Sequence, residues 1–151
     1  MNIRQATPND LESILSLNEN LFAYEKEFTN SYSPEWTRSD VGIEYFSNRI
    51  SRGIVLVAEQ NNAVVGYICG YSGVFEYRTP KECAQIDNMY VRKEHRGQGI
   101  GSDLLKAFEK EAKSRSAARI IVGTFVKNMF AQEFYRNNGF KSEEIILEKK
   151  F

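Results

Sequence analysis

The chain has 151 residues, enough for one domain with a sizeable hydrophobic core. Its 20 basic and 20 acidic residues give a net charge of zero and form no basic stripe, which argues against a nucleic-acid partner. No apolar run could cross a membrane and the first residues form no secretory segment, so we expect a single cytoplasmic domain over residues 1–151 without a membrane partner.

The first half of the chain has the patterns of an α/β domain. The predicted elements in chain order are a strand at 3–6, a helix after Thr7, a second helix at 35–51, and strands at 54–59 and 63–71. Thr7 is a suitable helix cap, Pro8 suits the first helical turn, and Asn61-Asn62 suits a tight turn between the two strands. The segment 22–36 interleaves aromatic and acidic residues without a clear period.

The second half alternates helices and strands. The predicted elements are a loop at 76–82, a strand at 84–92, a long helix opening near Ile100, a strand at 119–125, a short helix at 129–137 and a closing strand at 140–148. In the long helix, Ile100, Leu104 and Phe108 recur at helical spacing. The full order of elements indicates one mixed α/β domain.

The segment Arg96-Gly97-Gln98-Gly99-Ile100-Gly101 lies between the strand at 84–92 and the long helix. A glycine-rich turn that opens a helix directs free backbone N–H groups and the positive end of the helix dipole at one point, which favours a phosphate. The segment lacks the last glycine of the dinucleotide fingerprint and the lysine of the nucleoside-triphosphate loop. It therefore predicts an anion site of another kind, with Arg96 adding positive charge.

Two segments carry a resemblance to a known family. The first is R-x-x-G-x-G at 96–101, and the second is N-x-x-A-x-x-F-Y at 128–135, followed by Gly139-Phe140. In this order and at this separation they resemble the GCN5-related N-acetyltransferase (GNAT) family. The resemblance implies the acyl-CoA N-acyltransferase fold, an α/β (mixed α+β) domain with a central, mostly antiparallel sheet flanked by helices. It also implies acetyl-CoA as cosubstrate and a primary amine as acceptor.

The resemblance also assigns the residues that bind the cosubstrate. In the family these lie on the strand before the turn, in the turn itself and in the second segment. Carried over to this chain, they are Met89, Tyr90, Val91, Arg96, Gly97, Gln98, Gly99, Ile100, Gly101, Ser102, Asn128, Ala131 and Phe134. Asn128 also suits the cap of the following helix, and the two roles are compatible.

Two residues are candidates for catalytic proton transfer. Tyr135 matches the family's tyrosine that protonates the leaving thiolate, and an ordinary core aromatic is the alternative. Asp87 stands where the family often has a carboxylate, more frequently glutamate, that acts as a general base through ordered water. The strand period puts Asp87 on the face of Met89 and Val91. The alternative for Asp87 is a structural aspartate bonded to backbone or to an arginine.

Residues 22–36 correspond to the family's variable wall of the acceptor site. Aromatic faces and carboxylates attract cations, so the predicted acceptor is a small-molecule cationic amine. The predicted substrate-binding residues are Phe22, Glu25, Glu27 and Tyr32. An amine of a protein or peptide is the second candidate acceptor, and a non-catalytic acetyl-CoA-binding module is the alternative to an enzyme. A homodimer stays open.

The remaining reactive side chains suggest no further chemistry. Cys69 and Cys83 are expected to be reduced and buried, with a disulfide between them as the open alternative. His95, the only histidine, is expected to be an exposed turn residue rather than a base. No cluster of ligands has metal-binding spacing, so no metal site is expected.

Overall fold

The chain folds into five strands and four helices in the computed structural model, which describes residues 1–151. In chain order they are β1 (Asn2–Gln5), α1 (Leu11–Glu25), α2 (Asp40–Arg52), β2 (Ile54–Gln60), β3 (Ala63–Val74), β4 (Glu82–Val91), α3 (Ile100–Ser114), β5 (Arg119–Val122) and α4 (Met129–Asn137). Single turns of 3-10 helix lie at Pro8–Asp10, Trp36–Arg38 and Lys93–His95. None of the helices combines the length and hydropathy that crossing a membrane requires.

The five strands form one sheet in the order β1-β2-β3-β4-β5. Neighbouring strands are antiparallel except β4 and β5, which are parallel and are connected through α3. The mixed, mostly antiparallel sheet flanked by helices that the family resemblance implies is therefore confirmed.

Both faces of the sheet are covered because the central strands are apolar on both sides. Along β2, Ile54, Leu56 and Ala58 join a cluster with α3 and α4, whereas Val55 and Val57 join a second cluster with α1 and α2. Burial of each such side chain contributes about 1.5–3 kcal/mol. The alternation along one strand thus fixes which pair of helices lies on which face.

Turn and cap residues set the boundaries of several elements. Asn61 and Asn62 have φ of 51° and 62°, which confirms the predicted tight turn between β2 and β3. The predicted single helix at 35–51 is wrong at its start, because Ser39 is extended and its hydroxyl accepts a hydrogen bond from the Gly42 N–H at 3.2 Å. This cap begins α2 at Asp40 and leaves Trp36–Arg38 as a separate turn.

A β-bulge in β4 overturns the predicted orientation of Asp87. Cys69 of β3 pairs with Asn88, and Gly70 pairs with Ile86, so Asp87 has no partner on β3. The extra residue breaks the alternation of side chains. Asp87 therefore contacts α2 on one face, whereas Met89 packs against the α3 and α4 cluster on the other.

The last strand pair is short, and it separates where β4 reaches the bulge. Residues Cys83–Ile86 pair with Arg119–Val122, so the strand predicted at 119–125 ends three residues early. Beyond Ile86, β4 has no neighbour on that side. The backbone groups of residues 87–91 are thus open along one edge, and a cleft lies between the diverging chains.

The predicted closing strand at 140–148 is wrong. Gly139, at φ 89°, follows α4, and the chain from residue 140 onward belongs to no strand. Phe140 still packs against the cluster of α3 and α4, whereas the later apolar residues are exposed, with Leu147 at 90%. The segment contacts the loop before α2 instead, where Lys150 Nζ donates to Asn30 Oδ1 at 2.7 Å. Since β5 is only four residues long, it gives this segment little edge to pair with.

Cys69 and Cys83 are buried free thiols, which confirms the expected reduced state and excludes the disulfide. Burial raises the pKa of Cys69 to about 12. Cys69 therefore behaves as a small core residue rather than as a nucleophile, and Cys83 is fully buried in the core as well.

Candidate functional site

A cleft of about 2520 Å³ opens where β4 and β5 separate. It is bounded by the end of β4, the start of α3, the start of α4 and the segment after α1. All the site residues predicted from the sequence line it except Gln98, whose side chain reaches back to the Glu94 carbonyl at 3.5 Å. This volume exceeds that of a single drug-sized pocket, so a large cosubstrate and an acceptor fit together.

The glycine turn lies at one end of the cleft. Gly97 and Gly99 have φ of 75° and 81°, values that favour glycine. The Asp103 N–H donates to the Gly99 carbonyl at 3.0 Å as the first bond of α3, so the N–H groups of residues 100–102 have no acceptor within the helix. A Cβ placed at Gly99 would meet no atom within 4 Å, so the space in front of the turn is open.

Arg96 is held beside this turn by backbone and aromatic contacts. Its Nε donates to the Val91 carbonyl at 2.9 Å. Its guanidinium lies 5.2 Å from the ring centre of Tyr24 and 5.1 Å from that of Tyr90. The positive charge is thus fixed at the end of β4, next to the free N–H groups.

Tyr135 lies on α4 at the base of the cleft, with 9% of its surface exposed. Its hydroxyl donates to the Met89 sulfur at 3.7 Å, across the gap between α4 and β4. Burial first, and then the charge of Glu25, raise the pKa of Tyr135, which keeps the hydroxyl protonated at neutral pH. A thioether is a weak acceptor, so the hydroxyl can turn to a stronger one, such as a thiolate.

Two other predicted positions have clear structural roles. Asn128 caps α4, its side-chain oxygen accepting from the Ala131 N–H at 3.0 Å. His95 is half-buried rather than fully exposed, and its Nδ1 lies 3.0 Å from the Gln60 side-chain oxygen. The contact ties the turn after β4 to the end of β2.

Asp87 accepts three hydrogen bonds from its neighbours. One carboxylate oxygen accepts from the Tyr45 hydroxyl at 2.7 Å and from Arg49 Nε at 2.9 Å, and the other accepts from Gln85 at 3.2 Å. The Arg49 guanidinium also lies 4.3 Å from the ring centre of Tyr71. The sequence did not predict Arg49 and Gln85 as site residues. A signal was present, since Tyr45 and Arg49 lie four residues apart on an amphipathic helix and therefore share one helical face, which can meet a polar strand.

A buried polar network continues from Asp87 into the core. Asn18, fully buried on α1, accepts from the Thr37 hydroxyl at 2.6 Å and donates to the Tyr67 hydroxyl at 3.0 Å. It also donates to Asn88 at 3.3 Å, and Asn88 donates to Tyr45. The network joins α1, α2, β3 and β4, so it fixes the helices that carry the acceptor side of the cleft.

Stacked aromatic rings line the side of the cleft where the sequence predicts the acceptor. The Phe22 ring lies 4.4 Å from that of Tyr32 and 5.9 Å from that of Trp36, and Tyr32 meets Phe125 edge-on at 5.6 Å. We call these four residues the aromatic wall. Glu25, at the end of α1, lines the same cleft and is half-buried.

Comparison with known proteins agrees with this arrangement. Residues 20–140 match the Acetyltransferase (GNAT) family. The chain is 30% identical over 149 residues to an uncharacterized N-acetyltransferase of Methanocaldococcus jannaschii, covering 95% of this chain and 62% of that protein. It is 31% identical over 142 residues to the thialysine N-epsilon-acetyltransferase of Bos taurus, covering 91% of this chain and 82% of that protein.

A solved structure supports the fold independently. The predicted acetyltransferase of Clostridium acetobutylicum, crystallised with acetyl-CoA, has a TM-score of 0.78 at 22% identity, covering 99% of this chain and 95% of that chain. At that identity the likeness concerns the fold. The chain spans slightly less than two thirds of the length of the M. jannaschii protein.

Proposed function

The chain belongs to the GNAT family of acetyl-CoA-dependent N-acetyltransferases, and from that membership we propose that it acetylates a small cationic amine. The observation that carries the acceptor class is the aromatic wall with the half-buried Glu25 carboxylate on the same cleft. Both features stabilise a cation, whereas a neutral acceptor gains only apolar contact with the rings and an anionic acceptor is repelled by Glu25. A relative named for thialysine supports an amine of this size.

In this proposal the glycine turn and β4 hold acetyl-CoA. The free N–H groups at the start of α3 and the charge of Arg96 bind the pyrophosphate. The open edge of β4, residues 87–91, offers backbone donors and acceptors to the extended arm. An N–H near Met89 stabilises the charge that develops on the thioester oxygen.

Positioning and proton transfer account for the chemistry. The neutral amine attacks the thioester carbon, which forms the C–N bond and breaks the C–S bond. Tyr135 donates a hydrogen bond, and then its proton, to the departing thiolate and recovers a proton from the acetylated nitrogen. No covalent enzyme intermediate is needed, since Cys69 and Cys83 are both buried.

A panel of acceptors tests the proposed function. Free-thiol release from acetyl-CoA is measured with spermidine, thialysine, an aminoglycoside, a peptide with a free N-terminus, and aniline as a neutral amine. We expect the three small cationic amines to be acetylated fastest. If only the peptide is acetylated, the acceptor is an amine of a protein or peptide rather than a small cationic amine. A thermal shift with acetyl-CoA but no turnover would indicate a binding module.

A pair of variants tests the aromatic wall. Tyr32→Leu removes a ring from the cleft, whereas Tyr77→Leu removes a ring that is 81% exposed and lies outside it. We expect Tyr32→Leu to raise the Michaelis constant for the amine by about 5- to 30-fold, as loss of a cation–π contact of 1–2 kcal/mol requires. The Michaelis constant for acetyl-CoA should not change. If the two variants have equal Michaelis constants for the amine, the aromatic wall is not part of the acceptor site.

A further inference from the structure

Glu25 is placed to do more than attract a cation. It is the last residue of α1 and lines the same cleft as Tyr135, on the acceptor side. Its carboxylate is half-buried, and no cation or hydrogen-bond donor offsets that burial. An unpaired carboxylate in a cleft costs stability, so its presence needs a role.

The titratable groups that face Glu25 come from three other parts of the chain. They are Tyr32 in the loop after α1, Tyr67 on β3 and Tyr135 on α4. In each case burial, together with the charge of Glu25, raises the pKa of the phenol, which reaches about 12 for Tyr32. All three therefore stay neutral while Glu25 titrates.

The charged groups on the β4 side of the cleft are held by other contacts, and none of the lysines and arginines that line the cleft forms an ion pair with Glu25. Arg49 and Asp87 pair with each other at 2.9 Å, and Arg96 is held at the Val91 carbonyl. The immediate neighbours of Glu25, Lys26 and Glu27, also line the cleft, but both are exposed to solvent. Burial without a compensating charge raises the pKa of Glu25 to about 7.

Asp87 and Glu25 differ in what their oxygens can still accept. Asp87 accepts three hydrogen bonds, from Tyr45, Arg49 and Gln85. Both Asp87 oxygens therefore already hold a donor, and the carboxylate is paired with Arg49 at 2.9 Å. A base must be free to take up the proton that it removes. Glu25 has both oxygens free, and a carboxylate of raised pKa is the stronger base toward an ammonium group of pKa near 10.

We propose that Glu25 is the catalytic base, taking the proton from the bound ammonium group, and that Asp87 is a positioning residue. The inference rests on the proposed function. The step converts R–NH3⁺ and the Glu25 carboxylate into R–NH2 and the neutral acid. The free amine then attacks the thioester, Tyr135 protonates the thiolate, and Glu25 returns its proton to solvent, so that amide, thiol and one proton leave.

The pH dependence of kcat/KM tests the assignment, because this parameter reports the free enzyme. With the fastest amine of the panel, the wild type should lose activity as the pH falls through about 7. Glu25→Gln should lower kcat/KM at pH 7.5 by about 100-fold. It should also abolish the decrease of kcat/KM below pH 7, which we call the acidic limb of the pH profile. Glu133→Gln, an exposed substitution on α4 outside the cleft, is the matched control and should retain the limb.

Chemical rescue separates a base from a binding charge. Glu25→Ala should regain kcat on addition of formate or acetate, in proportion to the fraction ionised, because a small carboxylate can occupy the space left. If Glu25 only binds the cation, its variants should raise KM with kcat retained and show no rescue. That result, or a limb near pH 7 that survives in Glu25→Gln, would overturn the proposal.

Two readouts do not depend on turnover. The ¹³C signal of the Glu25 carboxyl should titrate near 7, and a normal value near 4.5 would contradict the proposal. Because the raised pKa makes ionised Glu25 destabilising, Glu25→Gln should unfold at higher temperature than wild type at pH 8 but not at pH 4. If the wild type acetylates no amine of the panel, the proposed function itself is wrong. This outcome is distinguishable from a failure of the Glu25 assignment, because the panel is measured before any variant is made.

Discussion

Replacing Asp87 with asparagine removes the charge at the centre of the site while retaining the side-chain shape. The carboxylate is buried, with 13% of the side chain exposed, and it accepts from Tyr45, Arg49 and Gln85. Asparagine keeps one acceptor oxygen and places an NH2 group where a donor already points. Arg49 then lacks its counter-ion.

The expected cost follows from the burial of both partners. Removing one member of a buried ion pair costs about 3–5 kcal/mol. The Arg49 side chain is 29% exposed, so water recovers part of this cost, and we expect about 2–3 kcal/mol. For a domain of this size 1 kcal/mol corresponds to about 2–4 °C, so Tm should fall by about 4–12 °C.

Urea denaturation at pH 7 measures the effect, with a double-mutant cycle through Arg49→Met. The coupling energy should be about 1–3 kcal/mol. The control is Glu111→Gln, which breaks the Glu111–Arg115 pair at the C-terminal end of α3, also at 2.9 Å, and should cost about 0.5 kcal/mol or less.

Turnover of the same Asp87→Asn variant decides between a positioning and a catalytic role. We expect the pH limb near 7 to remain and kcat to fall by less than about tenfold. An Asp87→Asn protein with wild-type stability and no turnover would refute the structural reasoning and restore Asp87 as the base.

Four further predictions concern other parts of the molecule. Tyr135→Phe should lower kcat by about 100-fold with nearly unchanged acetyl-CoA affinity, and equal turnover would return Tyr135 to a purely structural role. Gly99→Val should weaken acetyl-CoA binding more than tenfold in calorimetry, because φ is 81° and the new side chain enters the open space before the turn; Arg96→Ala should lose less, and the loss should shrink at high salt. Hydrogen bonds from Arg4 lower the pKa of Asp10 to about 2 from 3.8, so roughly 2 kcal/mol of stability should be present above pH 4 and be lost toward pH 2, in wild type but not in Asp10→Asn. Cys69 and Cys83 should react with a thiol reagent only on unfolding, and rapid modification of native protein would contradict their burial.

The sequence predicts most elements correctly because local signals decide them. The Asn61-Asn62 turn, the glycines before α3 and the apolar spacing along α3 each act over a few residues. The same signals fail at Ser39, where a cap divides one predicted helix, and at residues 140–148, where alternating apolar residues pair with no strand. A pattern gives the tendency of a segment, but a strand exists only if a neighbouring edge accepts it.

By itself the sequence determined the family, the cosubstrate and the position of the glycine turn, because two motifs and a strand–glycine–helix order are local properties of the chain. Only the tertiary structure decided which carboxylate is free. A one-residue bulge rotates Asp87 toward α2, where Tyr45, Arg49 and Gln85 occupy its oxygens. The end of α1 meanwhile leaves Glu25 half-buried without a partner, 62 residues earlier in the chain. Burial and pairing depend on contacts between distant segments, and no spacing along one segment encodes them.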